Sequence, residues 1–159
     1  MVFRRRRAPV LSRRRDGRWA LNLEPDERSL LASLADQLRD LLDEDPDDPS
    51  LDRLRPTAYP DDAEAEAGYR LLAGEELRDS RNAALAVLAS TGELEVIDDD
   101  QATAWMQAIN ALRLVVGTRL DVSEDDEGPT SLDDPDAPMW ALYGYLTQLL
   151  GRTIEALQG

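Results

Sequence analysis

Apolar residues recur at spacings of three and four along four separate stretches of the chain, and this period constrains the fold more than any other feature. It is the spacing of an α-helix with one buried face, so four amphipathic helices must share a core. The first begins near Pro25, whose fixed φ suits the opening helical position, with Asp26 and Glu27 at the positive dipole end. Leu30, Leu31, Leu34, Leu38, Leu41 and Leu42 form its stripe. The second spans about 62 to 90, with Tyr69, Leu72, Leu77, Leu85 and Leu88 inward, Gly74 as a place to bend and Gly92 as the residue after the C-cap. Asp98 is a good N-cap for the third, backed by Asp99 and Asp100. There Ala102, Trp105, Ile109, Leu112, Val116 and Leu120 make the stripe, and Met106, Leu114 and Val115 widen it, so this helix is central. The fourth starts near Ala137 and buries Met139, Leu142, Tyr143, Leu146, Leu149, Leu150, Ile154 and Leu157.

Before the helices, Asp16-Gly17 signals a two-residue hairpin turn between Val10–Arg15 and the alternating Trp19, Leu21 and Leu23. That register sets Arg15 opposite Arg18, a like-charge cost that an anion nearby would relieve. Leu94, Val96 and Ile97 read as a crossing to the third helix. The expected fold is mainly α: a four-helix-bundle-like single domain with a short N-terminal β-hairpin. Residues 1–18 form a basic arm that includes the first hairpin strand, and residues 19–159 form the helical domain. Acidic connections fall at 43–60, an exposed run with at most a short turn around Leu51 and Leu54, and at 121–136. At 159 residues one core forms without disulfides, and a second full domain is not expected. No apolar run approaches the roughly 18 residues of a membrane span. The basic N-terminus lacks the apolar stretch of a secretion signal, so the expected compartment is the cytoplasm.

The chain has no Lys, His or Cys, and all 18 cations are Arg. This removes Cys or His nucleophiles, Ser-His-Asp triads, thiolate or imidazole zinc sites, Schiff bases and thiol sensing. Carboxylates, guanidiniums, hydroxyls and backbone groups remain. Charge is distributed unevenly: Arg4, Arg5, Arg6, Arg7, Arg13, Arg14, Arg15 and Arg18 with Asp16 give residues 1–18 a charge of +7, which leaves −22 on the rest of a −15 chain. Such an arm can grip phosphates, bind weakly and non-specifically to DNA, or meet an acidic protein surface, its own second copy included.

Four constellations are candidates for chemistry. Glu75, Glu76 and Asp79, followed by Glu95 and Asp98, loosely resemble the EExxE…ExxD magnesium pattern of all-α nucleotide pyrophosphohydrolases, which makes a Mg-dependent phosphohydrolase the alternative to a non-enzymatic protein. The loop Asp121–Gly128 is acidic enough for calcium but lacks the oxygen-ligand register of a calcium loop. Asn110, Arg113 and Gly117, with Arg119 beyond, form a polar stripe that could line an anion pocket, although Gly117 reads more simply as room for a neighbouring helix. The third helix, with Gln101, Gln107, Asn110, Arg113 and Arg119 in an acidic setting, does not look like a DNA recognition helix. No cofactor is implied.

The segments GRWALNLEPDERSLLASL, GEELRDSRNAALAVL, WMQAINALRLVVGTRLDV and DDPDAPMWALYGYLTQLL, in this order, resemble an actinobacterial family of small proteins filed as a domain of unknown function and labelled AosR-like, after an oxidative-stress transcriptional regulator. The resemblance implies a cytoplasmic, mostly helical regulatory protein without established enzymatic activity, and the leading reading of the whole chain is a regulatory or adaptor protein that binds another protein, a second copy or a component of the transcription machinery, with the Arg arm as a contact element. A thiol-based sensor needs cysteines, and this chain has none, so that mechanism does not carry over.

Overall fold

The computed structural model describes residues 9–54, 61–122 and 133–159, and within them the side chains of all but residues 70 and 72–75. Four α-helices appear as the apolar period requires: α1 Pro25–Glu44, α2 Ala63–Ala89, α3 Asp99–Arg119 and α4 Ala137–Gln158. Their starts are set chemically. Pro25 opens α1, and the Glu27 carboxylate accepts the Glu24 N–H at 3.0 Å. Asp62 accepts from the Ala65 N–H at the start of α2. Asp98 accepts from the Gln101 N–H at 2.7 Å while the Gln101 side chain returns to the Asp98 N–H, a reciprocal capping box that opens α3.

Helix α3 is central, as its broad apolar surface requires: Trp105, Ile109 and Leu112 are buried, and α2, α4 and the 3-10 turn Pro49–Leu54 all pack on it. The Trp105 indole N–H donates to the buried Thr91 hydroxyl, so its polar edge is satisfied inside the core. Helix α1 lies against α2, and Tyr145 of α4 donates from its hydroxyl to Glu27, joining α4 to the start of α1. Gly117 is a close approach: a Cβ there would stand 3.1 Å from Tyr143 Cε2 and 3.1 Å from Arg53 Nη1, so the small residue lets α4 and the 3-10 turn seat on α3.

The hairpin strands β1 Leu11–Arg13 and β2 Trp19–Leu21 form, and a third strand, β3 Val96–Ile97, joins them in the antiparallel order β1-β2-β3. The crossing expected at Leu94–Ile97 is therefore a strand, with Trp19 paired to Ile97 and Ala20 to Val96. The turn also differs. Arg14, not Arg15, lies opposite Arg18, and Arg15, Asp16 and Gly17 make a three-residue loop in which Gly17 alone has positive φ, at 86°. The cause is Asp16: its carboxylate accepts the Arg18 N–H at 3.0 Å and reaches both the Arg14 and Arg18 guanidiniums. A two-residue turn would need positive φ at Asp16 as well.

Two further expectations are corrected, one on the run after α1 and one on Gly92. The run after α1 is not simply exposed, because Ser50, Leu51 and Leu54 are buried where the 3-10 turn meets α3. Helix α2 passes through Gly74 as continuous helix. Gly92 closes a second 3-10 turn, Ser90–Gly92, without positive φ. The acidic segment 123–132 and residues 55–60 lie outside the described residues.

Candidate functional site

Among the described side chains of α2, the buried ones lie near its C-terminal end. Leu85 and Leu88 are fully buried, and Ala84 is the first buried side chain among those described on this helix. Before it, Leu71 is 84% exposed and Leu77 37% exposed, although Leu77 has the spacing of an inner residue. Helix α2 has 27 residues against 20 in α1 and 21 in α3, so at 1.5 Å per residue it is longer than its neighbours by roughly 10 Å.

Where α2 diverges from cover, a groove of about 280 Å³ opens between it, α3 and the 3-10 turn. Its apolar lining is Leu54, Leu77, Ala84, Ala108, Ala111 and Leu114. Arg53, Ser80, Arg81, Gln107 and Asn110 supply the polar groups. The Arg53 guanidinium donates to the Val122 carbonyl at 2.6 Å, and that of Arg81 donates to the Leu54 carbonyl. Together they fix the 3-10 turn between α2 and the end of α3. Of the polar stripe anticipated on α3, only Asn110 reaches this groove. Arg113 turns to α4, donating to the Thr147 hydroxyl at 3.0 Å with its guanidinium 5.3 Å from the Tyr143 ring centre, while Arg119 is exposed at the helix end.

The acidic set does not converge among the described residues. Glu76, Asp79, Glu95 and Asp98 are exposed, Asp98 is committed to its cap, and no group of three acidic side chains is placed to hold a metal ion. Asp79 sits ten residues, about 15 Å, before the end of α2, whereas Glu95 lies beyond that end beside β3. The side chain of Glu75 is outside the described set, as is any calcium-binding geometry in 123–128.

The basic arm is largely paired with its own chain where it is described. Arg13 donates to Asp99 at 3.2 Å and lies 4.1 Å over the Trp19 ring, and the Trp19 indole N–H donates to the same carboxylate at 2.7 Å. Arg14 and Arg18 share Asp16, whose carboxyl is lowered from 3.8 to about 2, chiefly by the Arg18 backbone N–H and then by the Arg18 side chain. Arg15 is exposed, and Arg4, Arg5, Arg6 and Arg7 lie outside the described residues.

Arg28 is a residue that the periodicity did not single out. Its half-buried guanidinium donates to the carbonyls of Leu21, Thr91 and Leu94, and its Nε to that of Leu23. It thereby ties the entry to α1 to the exit from α2. A lone Arg in an acidic first turn was the available signal.

The sequence matches the family described as a domain of unknown function, DUF2017, over residues 5–157. This chain belongs to that family. Two relatives, each named oxidative stress regulator AosR, from Mycobacterium bovis and Mycobacterium tuberculosis, are 31% identical over 188 aligned positions, covering 91% of this chain and 85% of each relative. The aligned length exceeds the 159 residues of this chain, so the relatives carry residues that this family member lacks. The AosR-like resemblance read from the sequence is thus borne out. No solved structure matches. No helix among the described residues is long and apolar enough to cross a membrane.

Proposed function

We propose that this chain is a regulatory or adaptor protein of the cytoplasm that works by contact with another protein and not by catalysis. The observation that carries the reading is the groove between α2, α3 and the 3-10 turn, where the exposed Leu77 meets Leu54 and Leu114, while Leu71 on the same helix is exposed away from the groove lining. Apolar side chains concentrated beside a concave surface are what a partner desolvates to gain affinity. The name of the relatives, oxidative stress regulator, supports a regulatory role, and the transcription machinery is then the natural setting. Arg15 with Arg4–Arg7 forms a second contact element. A signal that reaches such a protein acts through its partner or its conformation, because the chain has no thiol to oxidise.

The test is genetic complementation with a transcript readout under oxidant. In cells lacking the gene, a double variant Leu71→Asp and Leu77→Asp should behave like the deletion, while Glu76→Gln with Asp79→Asn should restore the wild-type profile. The opposite pattern would contradict the contact reading and favour the Mg-dependent phosphohydrolase.

A further inference from the structure

The groove beside α2 is unlike the rest of the molecule in charge. The chain carries 33 acidic residues, yet among the described residues that line the groove none is a carboxylate and two carry guanidiniums. Arg53 is exposed and donates to a neutral carbonyl, and no ion pair of Arg53 is found among the described residues. The positive charge of Arg53 is therefore not matched by a carboxylate among the described residues. The floor is made by three alanines, Ala84 on α2 with Ala108 and Ala111 on α3, at positions where facing helices ordinarily interdigitate larger side chains. The result is a short groove of mixed lining, with Leu54, Leu77 and Leu114 as its apolar walls over buried alanines and Arg53 at its rim.

We propose that this groove docks an amphipathic helix of acidic character from a partner protein. One or two large apolar side chains of that helix seat on the alanine floor beside Leu77, and a carboxylate about one turn away meets Arg53. This is helix-in-groove recognition, in which apolar anchors supply most of the affinity and the charged contact sets orientation and partner choice. The −22 body repels an acidic partner at range, but at about 0.15 M salt that field is screened beyond about 8 Å while the contact pair persists. A basic helix would find the acidic surface in many places and Arg53 against it in the groove. The inference rests on the reading that the chain works by protein contact, and it narrows that reading to one surface and one chemistry.

The probes are two synthetic helical peptides with the same leucine stripe at three-and-four spacing, one flanked by Glu and one by Arg, titrated into the full chain at about 0.15 M salt with amide shifts recorded. The Glu peptide should shift Leu77, Ala108 and Ala111 and bind the groove at least about tenfold more tightly than its basic twin. Arg53→Glu should reverse that preference. Because Arg53 also holds Val122, Arg53→Gln and Leu77→Asp repeat the test: the first should erase the preference, and the second should weaken the Glu peptide about tenfold or more at an unchanged melting temperature. Shifts of the Glu peptide mapping outside the groove, or its failure to bind, would overturn the docking site. Equal or tighter groove binding by the basic twin would overturn the acidic assignment while leaving contact at this surface intact. Groove shifts that follow protein concentration without peptide would make the occupant a second copy and overturn the proposal.

Discussion

The two halves of α2 share a helix, a spacing of leucines and a run of charges, and they meet different surroundings. Near its C-terminal end Ala84, Leu85 and Leu88 are buried where α1 and α3 pack on the helix, and Arg28 fastens the carbonyls of Thr91 and Leu94 just past the helix end. The preceding half has Leu71 and Leu77 in or near solvent and no buried side chain among those described. Helical period fixes which residues share a face, but the packing of the neighbouring elements decides how much of that face is covered. A stretch left uncovered by that rule keeps its apolar character and becomes a surface with something to bind.

The contrast can be broken most forcefully in the core. Leu88→Ala should cost about 2–5 kcal/mol, whereas Leu71→Ala should change stability by no more than about 0.5 kcal/mol. Chemical denaturation of both variants measures it, and similar losses would erase the distinction between the halves. Arg28→Met should cost about 2 kcal/mol, since charge-assisted bonds are lost and four carbonyl contacts go unmet, and its effect should appear as loosened exchange at β3 and the end of α2. The two helix caps sharpen the comparison further. Asp98→Ala, at the start of buried α3, should cost about 1 kcal/mol, while Asp62→Ala, at the open end of α2, should cost less than about 0.5 kcal/mol because that end frays without unfolding the core.

The smallest effect belongs to the hairpin. Asp16 has a carboxyl lowered to about 2 by the Arg18 amide and side chain, with Arg14 beside it. A depressed folded value means the ionised form is favoured in the native state. Its contribution is present above the ordinary value of 3.8 and is lost as pH falls from there toward 2. A carbon-detected titration should place the Asp16 midpoint near 2, and a midpoint near 3.8 would show that the turn is open in solution.

Helix number, helix starts and the central place of α3 were legible because they follow from spacing and from Pro25, Asp62 and Asp98. The exposure of Leu77 was not, because Leu77 and Leu85 obey the same period and only the packing of neighbouring elements around each of them separates the two. Strand β3 is two residues long, too short for an alternation to register. The hairpin register turned on the side chain of Asp16, which capped the turn differently from the Asp-Gly dipeptide alone. Arg28 and Arg53 escaped notice because their acceptors are backbone carbonyls, which every residue has and no sequence displays. The groove was hidden for a related reason: Ala84, Ala108 and Ala111 look like filler until two helices bring them face to face.

Amide hydrogen exchange along α2, measured with and without the Glu-flanked peptide, tests the central claim most directly. In the free chain, residues 64–80 should exchange on the order of tenfold or more faster than residues 85–89, and the peptide should slow the first group while leaving the second unchanged. Uniform protection of α2 in the free chain, or an open half that the peptide leaves unprotected, would contradict it.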